Sequence, residues 1–197
     1  MRRRPFALAL AGLTLAGCGS QSVDQLPPAA QPAGPAATTA TVDGGRLTAV
    51  LSPRARVLRI DDARTGRTVD EAPAGVGPTN VVGVGDRLYV TDTRGEALLI
   101  YHVRPRLTLT RRVYLPGAPS ALAVDPARRR LWVALAARAE LVGLRADRTA
   151  PEVARLPTVP RPDAVAVDSA GTLTVTGGAD GAVQRIGADE AYAEHDG

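Results

Sequence analysis

The chain contains no lysine: all 24 of its basic residues are arginine. Alongside the high alanine, glycine and proline content, this reads as a compositional bias of the source and not as selection for bidentate anion contacts. Only one cysteine is present, Cys18. A lone thiol excludes a disulfide framework, so packing and strand pairing have to hold the fold. The two histidines, His102 and His195, stand at a separation that no metal-ligand spacing supports. The few serines lack a nucleophile-elbow context, and no Ser-His-Asp or Cys-His constellation can be assembled. The sequence therefore assigns no catalytic residue, no metal ligand and no cofactor. Residues 177–181 (GGADG) neither open a helix, as a phosphate cradle does, nor carry the acidic ladder of a calcium loop, and read as a β-turn.

Net charge is missing where it would matter. The formal charge is +4, but Arg2, Arg3 and Arg4 lie in a leader, and setting them aside leaves 21 arginines against 20 acidic residues, a net +1. That balance excludes a global nucleic-acid footprint. The apolar run at residues 6–15 is too short to span a bilayer as a helix. With the three arginines before it and small residues after it, the run has the form of an export signal.

The signal ends at Leu15-Ala16-Gly17-Cys18, which resembles the lipobox of bacterial lipoproteins. The resemblance implies cleavage before Cys18 and a diacylglyceryl thioether on its sulfur, hence a membrane partner and a location on the outer side of the cell membrane. Two acyl chains hold a protein on a bilayer stably where one binds reversibly. Arg3-Arg4-Pro5-Phe6 also resembles, faintly, a twin-arginine export motif. Residues 18–35 lack a hydrophobic period and are crowded with Pro, Ala, Gln and Gly, as in a flexible tether.

From residue 36 an alternating apolar pattern runs to about residue 187. Leu47, Leu88, Leu131 and Leu173 recur at spacings of 41, 43 and 42, and Val57, Leu98, Leu141 and Val183 follow each of them by 10. Four short strands per unit at this period predict an all-β array of about four four-stranded antiparallel blades, an incomplete or small β-propeller. The blades span about 36–75, 76–116, 117–159 and 160–187, followed by a polar tail at 188–197. In the second blade, strands are expected at 80–84, 87–91, 97–103 and 107–115, the last with alternation at Leu107, Leu109 and Val113. The fourth blade lacks a candidate outer strand. Tyr89 and Trp132 occupy matching positions and are expected in the core between blades.

Leu88-Tyr89-Val90-Thr91-Asp92 and its counterpart Leu131-Trp132-Val133-Ala134 resemble the YVTN and NHL families of propeller repeats. The resemblance implies the fold but no single function, since those families include binding scaffolds, lactonases, lyases and surface-layer proteins. No Trp-Asp dipeptide recurs as in WD repeats. The reading favoured is a binding or scaffolding surface for a protein or cell-envelope ligand, with no nucleic acid involved. A lactonase- or lyase-like enzyme is the alternative, with acidic residues and a metal around a channel. Against it, the aligned positions Leu51, Asp92, Leu135 and Gly177 do not repeat an acid. A truncated propeller without a role of its own is a further alternative. An open blade edge also invites a homodimer. Candidate binding residues are Asn80, Asp92 and Arg94 at strand ends and turns of the second blade, and the charge run Arg128-Arg129-Arg130, expected at a solvated loop tip.

Overall fold

A computed structural model describes residues 38–178 and 181–193. Cys18, the lipobox, the tether and His195 lie outside the described residues. Among the described residues, fifteen strands form four antiparallel sheets. The first sheet holds β1 (Thr38–Val42), β2 (Leu47–Ser52), β3 (Val57–Asp62) and β4 (Thr68–Pro73). The second holds β5 (Pro78–Val84), β6 (Arg87–Asp92), β7 (Ala97–His102) and β8 (Thr108–Tyr114). The third holds β9 (Pro119–Asp125), β10 (Arg130–Leu135), β11 (Glu140–Arg145) and β12 (Glu152–Pro157). The fourth holds β13 (Pro162–Val167), β14 (Leu173–Gly177) and β15 (Ala182–Ile186), followed by the short helix α1 (Ala188–Ala191). In every sheet the strands pair in chain order. This is the expected all-β blade array, with its fourth blade three-stranded among the described residues.

Three cores join the four blades. Leu47, Ala49, Leu51, Leu58 and Ile60 of blade 1 pack on Leu88, Val90, Leu99 and Tyr101 of blade 2. Tyr89, Leu98 and Ile100, on the other face of blade 2, pack on Leu131, Val133, Leu135 and Val142 of blade 3. Trp132, Ala134 and Leu141 then meet Leu173, Val175 and Ile186 of blade 4. Successive strand residues point to opposite faces, so a blade with a neighbour on each side needs apolar residues at every position. Leu88-Tyr89-Val90 and Leu131-Trp132-Val133 meet that need and are wholly buried. Blades at the ends of the array need only every second residue. Their central strands read LTAVLS and LTVTG, with Leu47, Ala49 and Leu51 or Leu173 and Val175 inward and Thr48, Thr174 and Thr176 outward.

Bulges recur as regularly as the strands. The pairing slips between Ile60 and Asp61, between Ile100 and Tyr101, and between Gly143 and Leu144, at corresponding places in three blades. In β8 the slip corrects the alternation expected from sequence. Leu109 pairs with Tyr101 and Val113 with Leu98, so the two residues serve opposite faces, and Leu109 at the outer edge is exposed. Pro78, Pro119 and Pro162 each begin the first strand of a blade, the position in a strand that tolerates a residue with no N–H.

Candidate functional site

Because the strands of each blade alternate in direction, the turns gather at two rims. One rim carries the β2–β3, β6–β7, β10–β11 and β14–β15 turns together with the crossings between blades. The β2–β3, β6–β7 and β10–β11 turns end in a residue with left-handed backbone, Arg56, Glu96 and Ala139, and Gly181 takes the same conformation in the last. The turn type is therefore built into the repeat, and the side chains on it are free to vary.

Where blades 1 and 2 meet on this rim, a groove of about 440 Å³ is lined by Pro53, Arg54, Arg56, Val76, Pro78, Thr79, Thr93 and Arg94. All three guanidiniums belong to exposed residues, and none has an ion-pair partner among the described residues. Arg94 donates through Nη2 to the Val76 carbonyl at 2.9 Å. Its side chain lies over Gly77, where a Cβ would stand 2.7 Å from the Arg94 Cγ, so this crossing requires glycine.

Asp92 forms the floor beneath the groove. Its carboxylate is fully buried and accepts from the amides of Val76 (3.1 Å), Gly77 (2.7 Å) and Gly95 (3.1 Å). Gly75 and Gly95 press so closely on this carboxylate that neither position has room for a Cβ. Asp92 thus acts as a clamp on the crossing between blades and does not present a charge to solvent. Its field, second to burial, pushes the Tyr101 hydroxyl up to about 12. Beside it a hydroxyl chain runs through Thr91, Thr79 and Thr93, with both links at 2.9 Å, and ends where Thr93 donates to the Pro119 carbonyl at 2.6 Å. Asn80 donates its backbone N–H to the Thr91 hydroxyl at 3.0 Å, and its side chain makes no hydrogen bond among the described residues.

The arginine run lies on the opposite rim, with Arg128 and Arg129 exposed in the β9–β10 turn and Arg130 at the start of β10. Arg128 donates to the buried Asp125 carboxylate at 3.0 Å and to the Ala170 carbonyl at 3.1 Å. Arg130 lies over Trp132 and Tyr192, 5.8 and 5.2 Å from the ring centres, and burial lowers its pKa. Arg128 and Arg129 are both exposed turn residues, and Arg129 alone of the three has no side-chain partner among the described residues. Tyr192, in the stretch read as a polar tail, donates to Asp125 at 2.6 Å. Burial pushes the Asp125 carboxyl up, but the bonds from Tyr192 and Arg128 leave it, on balance, below the usual carboxylate range. His102 is on the same rim, with Nε2 2.7 Å from Asp86 and Nδ1 2.6 Å from the Arg104 carbonyl.

The sequence thus named Arg94 but missed Arg54 and Arg56, which join it only because adjacent blades place their turns side by side. The one available signal was that both lie in the blade-1 turn aligned with that of Arg94. Among the described residues, no three His, Cys, Asp or Glu side chains are grouped so as to hold a metal ion.

No protein-family model matches the chain, and no curated protein does. Solved structures do match it. The chain is similar to hydrazine synthase of Kuenenia stuttgartiensis, at 17% identity and a TM-score of 0.68 over 83% of this chain and 49% of that one. It is also similar to a chain of the mitotic checkpoint complex, at 13% identity and a TM-score of 0.66 over 76% and 48%. A third likeness is to the Cps50 (Swd1) β-propeller domain of Myceliophteria thermophila, at 11% identity and a TM-score of 0.59 over 72% and 48%. At these identities the likeness shows the fold alone, a β-propeller arrangement. The chain spans about half the length of the structures it matches.

Proposed function

We propose that the protein is a lipid-anchored, extracytoplasmic binding or scaffolding protein, whose blades display a ligand-binding rim on the outer side of the cell membrane. The observation that carries the binding part is the groove of Arg54, Arg56 and Arg94, a concave, partly apolar recess with exposed cations that no carboxylate among the described residues neutralises. The buried polar groups around it are engaged in holding the blades together, which leaves the turn residues as the surface that can be altered without loss of the fold. Leu15-Ala16-Gly17-Cys18, placed directly after a short apolar run, supports the anchor.

The β15 edge, which has no fourth strand among the described residues, and the match to half of longer propellers support a second copy as a further partner. The anchor is tested by Cys18→Ser, which should move the protein from the membrane fraction to the soluble fraction. Unchanged membrane retention overturns the assignment.

A further inference from the structure

We infer that the groove between blades 1 and 2 binds an organic phosphate, the phosphate group being held by Arg54, Arg56 and Arg94. The inference rests on the binding-surface reading above and adds the chemical class of the ligand. The hydrogen-bond inventory of the groove carries it.

The hydroxyls of the wall and the backbone of the crossing between the blades are already committed. The amides of Val76 and Gly77 donate to Asp92. The Val76 carbonyl accepts from Arg94, and the Gly77 carbonyl accepts from the Thr93 amide at 2.9 Å. Because Thr93 gives its hydroxyl hydrogen to Pro119, the hydroxyl of Thr79 must donate to Thr93, and that of Thr91 to Thr79. The chain of hydroxyls therefore has no hydrogen left for a ligand. Among the side chains that line the groove, what remains is a set of guanidinium N–H donors with no carboxylate beside them.

A cation would need carboxylates, and none lines the groove. An acceptor-only group fits, and guanidiniums bind phosphate oxygens through charge-assisted, often paired, bonds. Three cations from two turns match a phosphate dianion better than a single carboxylate charge. Pro53, Pro78 and the exposed Val76 supply apolar wall for the body of the molecule, and about 440 Å³ accommodates a small ester. A soluble phosphate ester and the headgroup of an anionic phospholipid present the same chemistry, so the test separates them.

The full chain carrying Cys18→Ser, which removes the anchor's own affinity for bilayers, is titrated calorimetrically with glycerol 3-phosphate. In parallel it is floated with phosphatidylglycerol vesicles and with phosphatidylcholine vesicles. Binding in either the ester arm or the phosphatidylglycerol arm supports the site and identifies its source. Arg54→Gln, Arg56→Gln and Arg94→Gln should each weaken that binding by roughly tenfold or more, the usual loss for a charge-assisted bond. Arg148→Gln, an exposed arginine in the β11–β12 loop on the other rim, should not. Absence of binding in both arms by a chain with an unchanged melting curve overturns the inference, as does equal weakening by Arg148→Gln. Either failure leaves the anchor, which Cys18→Ser tests by fractionation, untouched.

Discussion

The indole N–H of Trp132 donates to the hydroxyl of Tyr192 at 3.2 Å, and the two rings meet edge to face with their centres 5.7 Å apart. One blade earlier, Tyr89 stands where Trp132 stands, and its hydroxyl donates to the Asp147 carbonyl in the β11–β12 loop of blade 3. Each aromatic therefore reaches into the next blade, where the loop after the third strand satisfies its polar tip. Blade 4 has no fourth strand among the described residues, and α1 brings Tyr192 to that place instead.

Truncation at Tyr192 should accordingly loosen the end of the array. Tyr192→Ala removes a half-buried ring that touches Trp132, Arg128 and Arg130, and should cost about 2 kcal/mol. Tyr192→Phe keeps the ring, loses the bonds to Asp125 and Trp132, and should cost about 1 kcal/mol. Trp132 is the only tryptophan, so its emission reports the change directly. A red shift is expected in Tyr192→Ala, and an emission spectrum and melting curve identical to wild type would show that Tyr192 does not seal blade 3.

Asp92 is the second point of dependence. Removing its carboxylate leaves three buried or half-buried amides, those of Val76, Gly77 and Gly95, without their acceptor. Asp92→Ala should lose about 3 kcal/mol in urea unfolding, because unmet donors bear their full desolvation penalty. Asp92→Asn retains one carbonyl oxygen and should lose about half as much. A loss below about 1 kcal/mol in the alanine variant would mean that the clamp does not hold the crossing between blades.

The period and the paired aromatics were legible in the sequence because they follow from strand alternation, which a closely packed blade cannot violate. Tyr89 and Trp132 were accordingly placed in the core, and both are fully buried. The contrast between LYV or LWV in the middle blades and LTAV or LTVT at the ends also lay in the sequence, and it marks the middle blades as covered on both faces. The bulge in β8 was not legible, because a slip of one residue leaves the local pattern intact. The fates of Arg128 and Arg130 depended on Asp125 and on a tyrosine more than 60 residues away. A lone aromatic in the acidic stretch 187–197 gave no period from which to place it.

Two pH windows follow from the shifted groups. Burial raises Asp125 and Asp147, but hydrogen bonds from Tyr192 and Arg128, and from Thr149 and Ala150, bring both on balance below the ordinary carboxylate value. The folded state thus binds these protons more weakly than the unfolded chain. The stability they contribute is present above about pH 4 and is lost as pH falls through their folded-state values. Tyr101 and Tyr192 are pushed up, mainly by burial, to about 12. Their contribution is complete below about pH 10 and is lost between there and about pH 12. Melting temperatures across pH should fall at both ends, with Asp125→Asn flattening the acid arm and Tyr192→Phe the alkaline arm. Unchanged arms in these variants would place the titrating groups elsewhere.

The second copy proposed as a partner would have a defined place to bind. Blades 1 and 4 each turn one sheet face outward, the first with Thr39, Thr41 and Thr48, the second with Thr174, Thr176 and Val183, which is 61% exposed. A two-fold axis would set blade 1 of each chain against blade 4 of the other and form two equal contacts. Faces that mix threonine, valine and alanine with Arg59 and Asp61 on blade 1 and Arg185 on blade 4 resemble a dissociable interface more than the apolar cores between blades 1 to 4. Light scattering on the portion from residue 36 onward should therefore give twice the monomer mass at high concentration, falling toward the monomer on dilution. Val183→Glu, which adds a charge to the blade 4 face, should shift that transition to higher concentration. A monodisperse monomer throughout overturns the pairing, and a dimer indifferent to Val183→Glu would place the contact on another face.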